Sequence, residues 1–281
     1  MLAGVPLVLL WVLVGWPMCL ITGESNGYLL LGVPLTALFQ RFVRKRPLRD
    51  LWVSASAAGG DAPVRGGSPW PLILGVGAVP LAGLVYAAAH LQPVSALYCL
   101  AACVGAAPLA YAIRRVRVTE ASALLRHALV PAAVGLVFVV SGRWLFGGVE
   151  QSFGRAVLVG LSSFATYVPA LFVLEEPFFR GALDGHLSRP REDPLRGAPR
   201  DRWPSALYVA ILWAIWSLPT VPIAHIRDAD RFFAALGWTF VMHAAMGVGL
   251  SLARRRTGHL LAPVLAHAFV DATRVALGVS G

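Results

Sequence analysis

Residues 70–91 read WPLILGVGAVPLAGLVYAAAHL, a run of 22 residues without a single Asp, Glu, Lys or Arg. A helix of about 20 such residues is long enough to cross the hydrocarbon core of a bilayer. Similar apolar stretches lie on both sides of it, so the sequence predicts an all-α, polytopic membrane helix bundle of about eight or nine transmembrane helices. The predicted segments are residues 2–21, 28–43, 70–91, 94–113, 123–141, 156–187, 204–219, 232–253 and 258–280.

The overall composition excludes several other classes of protein. Of the 281 residues 57% are hydrophobic and 14% are charged, and the mean hydropathy is +0.69. Soluble domains carry about a quarter charged residues, and disordered chains are poor in hydrophobic ones. The three cysteines lie in apolar runs without the spacing of a disulfide framework or a metal site. We therefore expect one integral membrane domain over residues 1–281, with its first apolar segment kept as a membrane helix.

Basic residues alternate between the loops that connect the predicted segments. One set of loops carries sixteen of them, whereas the opposite set carries only Arg143, Arg155, Arg227 and Arg231. By the positive-inside rule the N-terminus lies in the cytoplasm, and we expect an integral protein of a bacterial plasma membrane. The net charge of +10 is thus a topology signal, and no nucleic-acid partner is expected. The sixteen are Arg44, Lys45, Arg46, Arg49, Arg65, Arg114, Arg115, Arg117, Arg189, Arg191, Arg196, Arg200, Arg202, Arg254, Arg255 and Arg256.

Ionisable side chains inside a membrane segment are costly and need an explanation. The sixth segment contains the run Leu174-Glu175-Glu176-Pro177-Phe178-Phe179-Arg180-Gly181. Glu176 and Arg180 are four residues apart, so they share a helix face and can form an ion pair. Glu175 points about 100° away from that face, which leaves its carboxylate available for chemistry. The alternative is a purely structural salt bridge between helices.

Histidines in the last two segments lie at a depth similar to that of Glu175. His267 and Asp271 are four residues apart on the ninth segment, a spacing that suits a hydrogen-bonded pair or two ligands of one ion. At 1.5 Å per residue, Glu175, His243 and His267 are each about 14 to 18 Å from the cytoplasmic ends of their segments. We expect the three to meet in one cavity that opens to the cytoplasm.

Three motifs in this order carry a family resemblance. They are Glu-Glu-x-x-x-Arg-Gly on one segment, Trp213-Ala214-Ile215-Trp216-Ser217-Leu218-Pro219 on the next, and Thr257-Gly258…Ala262-Pro263…His267-x-x-x-Asp271 at the end. Residues 155–280 resemble the core of the CPBP family, the CAAX-protease and bacteriocin-processing intramembrane proteases, also called the Abi family. The resemblance implies peptide-bond hydrolysis within the membrane. It also implies that Glu175 activates water together with a histidine of the next helix, while His267 and Asp271 stabilise the oxyanion.

The second motif departs from the family pattern. Where the family has Phe-x-x-x-His, this sequence has Trp213-x-x-x-Ser217, and a serine cannot carry protons as an imidazole does at neutral pH. Three interpretations stay open: His243 supplies the missing group, Glu175 acts alone at a reduced rate, or the protein is a non-catalytic relative.

Three functional hypotheses follow. The first is a CPBP-like intramembrane endopeptidase, with Glu175 as general base, Glu176 and Arg180 orienting it, and His267 and Asp271 as oxyanion or water-positioning groups. The second is a catalytically silent CPBP-like protein that acts as a binding or assembly subunit. The third is a proton-coupled carrier that uses Glu175 and Glu176. We expect no cofactor and no metal, and we expect the partner to be a membrane-embedded or membrane-anchored peptide or protein.

Overall fold

The computed structural model describes residues 4–22, 27–53, 68–188, 203–221 and 229–279. Throughout these ranges the regular elements are helices, and the one β-type contact is an isolated pairing of Val53 with His259. Short 3₁₀ turns and two π-helical segments, Phe39–Val43 and Pro177–Leu183, connect or extend the α-helices. The α-helices are α1 (Gly4–Thr22), α2 (Gly32–Leu38), α3 (Trp70–Ala89), α4 (Pro93–Arg115), α5 (Val118–Phe146), α6 (Phe153–Leu171), α7 (Asp184–Leu187), α8 (Trp203–Ser217), α9 (Ala229–Thr257) and α10 (Leu261–Ala276).

Five of these helices are long and apolar enough to cross a membrane, namely α3, α4, α5, α6 and α9. They expose large apolar side chains such as Leu74, Leu129 and Leu158, which are all more than 60% exposed. Such surfaces on a folded chain are typical of contact with lipid. The all-helical membrane fold is therefore confirmed, whereas the count of eight or nine transmembrane helices stays a prediction.

The sixth predicted segment is not one continuous helix. Helix α6 ends at Leu171, the chain turns through residues 172–175, and helical geometry resumes at Glu176, just before the π-helical segment that begins at Pro177. Proline lacks the backbone N–H that would continue an α-helix, and Pro169 and Pro177 flank this break. The expectation of a single helix over residues 156–187 is therefore wrong. Glu175 is the last residue of this break, and Glu176 is the first residue of the helical turn that follows it.

The broken segment and two neighbouring helices form the buried centre of the molecule. Residues 174–184, most of α8 and the first half of α10 are buried, whereas most residues of the five long helices are not fully buried. Helix α10 packs against α5, α6 and α9, and α8 packs against α9. Helix α4 approaches the break closely, because a Cβ atom on Gly105 would lie 1.8 Å from the carbonyl oxygen of Pro169.

The two ends of this bundle differ in charge. We call the end formed by residues 44–53, 114–117 and 254–260 the basic end. Its loops are in contact, since Arg254 donates to the carbonyl oxygen of Leu51 and Leu260 donates its backbone N–H to Trp52. The opposite end is formed by residues 90–95, 143–153 and 274–279.

Candidate active site

Two acidic residues at the end of the break and one histidine of α10 meet in the buried centre. His267 Nδ1 lies 2.8 Å from Glu176 Oε1, and because a carboxylate can only accept, this nitrogen is the donor. The other ring nitrogen, Nε2, lies 3.7 Å from Glu175 Oε1. All three side chains are at most 8% exposed. One imidazole therefore bridges the two neighbouring carboxyl groups.

Asp271 approaches the same imidazole from the next turn of α10. Its Oδ2 lies 3.4 Å from His267 Nε2, and its Oδ1 lies 3.9 Å from Arg274 Nε. Asp271 and Arg274 are partly exposed, in contrast to His267. The Nε2 atom of His267 thus faces two carboxylates, one buried and one at the border of a cavity.

Arg180 supplies the buried positive charge beneath the two glutamates. Its Nε lies 3.8 Å from Glu176 Oε2, and its guanidinium carbon lies 4.5 Å from the centre of the Trp213 ring. Neither Arg180 nor Glu176 has any exposed side-chain surface. Among the described residues the guanidinium nitrogens have no hydrogen-bond partner. The charge of Arg180 is therefore compensated by the ion pair with Glu176 and by the aromatic face of Trp213.

The indole of Trp213 holds the second oxygen of Glu175. Trp213 Nε1–H donates to Glu175 Oε2 at 2.7 Å, and its ring packs edge-on against both His267 and His243. Trp213 belongs to the second motif, but the motif assigns its side chain no role. The sequence signal for this contact is a tryptophan within a predicted membrane segment, because a buried indole N–H usually finds an acceptor.

The two candidates for the missing imidazole function differ in position. The Ser217 hydroxyl is buried and donates to the carbonyl oxygen of Ala214 in its own helix at 2.8 Å. His243 Nδ1 lies 2.8 Å from the carbonyl oxygen of Thr239 and must donate to it. In a neutral ring this leaves His243 Nε2 as the proton acceptor. Both residues line the cavity that Glu175 and His267 also line.

This cavity has a volume of about 1330 Å³ and connects the carboxyl groups with one end of the bundle. From Glu175 and His267 it extends past Asp271 and Arg274 to Leu91. Its lining includes no residue of the basic end. The lining formed by the described residues therefore gives no support to the expectation that the cavity opens on the side of the basic loops.

The site combines a proton acceptor, the carboxylate of Glu175, with the imidazole ring of His267 in mostly apolar surroundings. Glu175 Oε1 and His267 Nε2 are close enough for one water molecule to contact both. Among the residues that the structure describes, no three His, Cys, Asp or Glu side chains are placed to hold a metal ion. The side chains themselves can activate water and bind a developing negative charge.

The helical bundle, with its cluster of acidic residues and a histidine at the bottom of a cavity, is the architecture of a polytopic membrane protein that encloses a polar site. Residues 152–273 match the model of the family described as Rce1-like, type II CAAX prenyl endopeptidase. The chain thus carries an Rce1-like segment, and the resemblance to CPBP proteases is confirmed. No curated protein and no solved structure matches the chain. The matched family suggests an intramembrane endopeptidase.

Proposed function

We propose that the protein is an intramembrane endopeptidase that hydrolyses a peptide bond of a membrane-embedded or membrane-anchored polypeptide with a water molecule activated by Glu175. The contact that carries the proposal is the 3.7 Å approach of His267 Nε2 to Glu175 Oε1 at the bottom of the cavity. A carboxylate base and a donor about 3 Å from the reacting atoms are the two parts that amide hydrolysis needs.

Glu175 takes one proton from the bound water, and the resulting hydroxide attacks the scissile carbonyl carbon. His267 holds protons on both ring nitrogens, because each faces a carboxylate, and its Nε2–H donates to the oxyanion. The C–N bond then breaks, and Glu175 returns its proton to the leaving amine. The products are a carboxylic acid and an amine, between which a proton then passes to give a carboxylate and an ammonium group, and Glu175 is regenerated.

The remaining polar residues orient these two groups. Glu176 fixes the ring of His267 through Nδ1, and Arg180 keeps Glu176 charged. Trp213 restrains Glu175 through Oε2, so that Oε1 is left to face the water. The carboxylate of Asp271, with Oδ2 3.4 Å from His267 Nε2, adds a second negative charge beside this nitrogen. The reaction in this scheme uses neither a cofactor nor a metal.

The direct test replaces Glu175 by glutamine, which keeps shape and removes the base. Catalysis by a positioned general base contributes about 10²- to 10⁴-fold to the rate, so cleavage by Glu175→Gln falls by that amount while the protein stays folded. The readout is mass spectrometry of membrane peptides from cells with the wild type or the variant. An unchanged product profile excludes Glu175 as the base.

The second candidate is a catalytically silent CPBP-like protein that binds a membrane peptide or assembles with a membrane protein. Two observations favour it: the Ser217 hydroxyl donates back into its own helix, and the Trp213 indole occupies one oxygen of Glu175. For such a protein Glu175→Gln leaves all cleavage products unchanged, and enlarging a cavity residue such as Ser163 with Ser163→Phe abolishes co-purification of the partner.

We further propose that the N-terminus lies in the cytoplasm of a bacterial cell. The support is the sixteen-to-four distribution of basic residues between the two sets of loops. A reporter fused to the N-terminus that is active only in the cytoplasm tests this orientation.

A further inference from the structure

A short segment after α2 closes the basic end beneath the active site. The indole N–H of Trp52 donates to the carbonyl oxygen of Phe172 at 2.8 Å, which ties the segment to the break. The backbone N–H of Leu260 donates to Trp52 O at 2.8 Å. Leu260 and His259 are at most 1% exposed. Residues 48–53 therefore lie packed between the break and the turn that joins α9 to α10.

Three arginines hold the basic end closed through hydrogen bonds between elements that are distant in sequence. Arg44 donates to the carbonyl oxygen of Gly181 at 2.9 Å, and Arg255 binds both carboxylate oxygens of Asp184 at 3.0 and 3.1 Å. Arg254, which is 6% exposed, donates to Leu51 O at 3.3 Å. Each guanidinium joins elements that are distant in sequence. Entry from the basic end would require these charge-assisted bonds to break.

On the side away from the basic end, the active site borders the cavity. The cavity that contains Glu175 reaches the turn between α3 and α4, where Tyr86 and Leu91 are 58% and 88% exposed. Between this turn and Glu175 it is lined by hydroxyl-bearing and aromatic side chains: Tyr98, Ser163, Thr166, Tyr167 and Trp238. Its volume of about 1330 Å³ exceeds the range of about 300–1,000 Å³ that is usual for small-molecule sites. It can hold several residues of an extended polypeptide.

The distribution of basic residues indicates which side of the membrane each end of the bundle faces. The closed end carries the arginine-rich loops, which the positive-inside rule assigns to the cytoplasm. We infer that the active site is entered from the extracytoplasmic face, and that its substrates are segments of exported or membrane-anchored polypeptides on that face. A prenylated C-terminus in the cytoplasm would meet the closed end instead. The inference rests on the proposed peptidase function.

Thiol labelling tests the side of access without any hydrolysis. In a background with Cys19, Cys99 and Cys103 replaced by alanine, Ser163→Cys places a thiol inside the cavity. Ser188→Cys is the matched control, because Ser188 is exposed at the end of α7, next to the basic end. Intact spheroplasts of the producing bacterium are treated with a membrane-impermeant maleimide, before or after permeabilisation.

We expect Ser163→Cys to be labelled in intact spheroplasts, with no further gain on permeabilisation, and Ser188→Cys to be labelled only after it. A third variant, Gln92→Cys, reports the mouth of the cavity and is labelled like Ser163→Cys. Labelling of Ser163→Cys only after permeabilisation, or failure to label it while Gln92→Cys reacts, overturns the inference. Since labelling needs no catalysis, these results are independent of the outcome for Glu175→Gln.

Discussion

The buried indole N–H of Trp213 donates to Glu175 Oε2 at 2.7 Å. A hydrogen bond to a charged acceptor contributes about 1.5–3 kcal/mol, and its loss leaves a buried oxygen without a donor. We expect Trp213→Phe to lower the free energy of unfolding by about that amount beyond the effect of lost volume. Cleavage, where the protein is a peptidase, falls as well because Glu175 is no longer held in one orientation.

Trp216 offers a matched control for this substitution. It is 2% exposed, and its indole nitrogen has no hydrogen-bond partner among the described residues. Trp216→Phe therefore removes the same volume from the core without removing a hydrogen bond. Thermal unfolding in detergent compares the two variants. Equal losses of stability would show that the Trp213–Glu175 hydrogen bond contributes nothing measurable.

The buried ion pair of Glu176 and Arg180 predicts strong coupling between the two residues. Removing one partner of a buried pair typically costs about 3–5 kcal/mol, since the other charge is left uncompensated, whereas replacing both by uncharged residues costs far less. We expect Glu176→Gln and Arg180→Met each to lower the folded yield severely. The double variant should unfold at a higher temperature than either single variant. Additive losses in this cycle would contradict direct coupling.

The contact between α4 and the break predicts that Gly105 tolerates no larger residue. The Cβ atom of an alanine there would overlap the carbonyl oxygen of Pro169, a backbone atom that cannot rotate away. We expect Gly105→Ala to destabilise the fold by about 1–3 kcal/mol or more. Gly75→Ala on α3 is the control, because its Cβ would meet no atom within 4 Å. Similar melting temperatures of the two variants would refute the close approach.

The sequence identified the residues that gather at the site but not all of their partners. The spacing of Glu176 with Arg180 and of His267 with Asp271 follows from helix periodicity, and the structure places each of these pairs within 4 Å. The contact of Trp213 with Glu175 joins residues 38 positions apart, and no periodicity within one helix encodes it. It depends on how α8 packs against the break.

The end of the bundle that the cavity reaches could not be predicted from the sequence either. Hydropathy locates the membrane segments and gives the depth of Glu175 along one of them. Which end is closed depends instead on Trp52 and three arginines, whose partners are mostly backbone carbonyl oxygens of remote elements. Any residue can provide a carbonyl oxygen, so such contacts leave no signature in the sequence. The break after Leu171 has a clearer origin, in the prolines that flank it.

The turn between α9 and α10 predicts a pH dependence of stability. Burial, together with the positive charge of Arg254 and against the effect of Glu120, lowers the pKa of His259 from 6.5 to about 4. Between about pH 6.5 and 4 the unfolded chain therefore binds a proton that the folded protein does not, and stability falls as the pH falls through this range. Neither ring nitrogen of His259 has a hydrogen-bond partner among the described residues.

Replacing His259 by leucine removes the titrating group behind this pH dependence of stability without removing a hydrogen bond. We expect His259→Leu to match the wild type near pH 7 and to lose less stability than the wild type between pH 6 and 4, measured by thermal unfolding at a series of pH values. Parallel curves for the two proteins would show that His259 does not carry the linkage.

The buried serine of the second motif predicts a gain of function. Ser217 lines the cavity together with Glu175, so the imidazole of Ser217→His would border the same cavity. An imidazole there would give the activated water a second proton acceptor, and such general acid–base assistance contributes about 10²- to 10⁴-fold. We expect Ser217→His to raise the rate at which membrane peptides are cleaved. Ser217→Gln, similar in size but unable to carry a proton, should not. A folded Ser217→His variant with no gain would favour the silent, partner-binding protein over the peptidase.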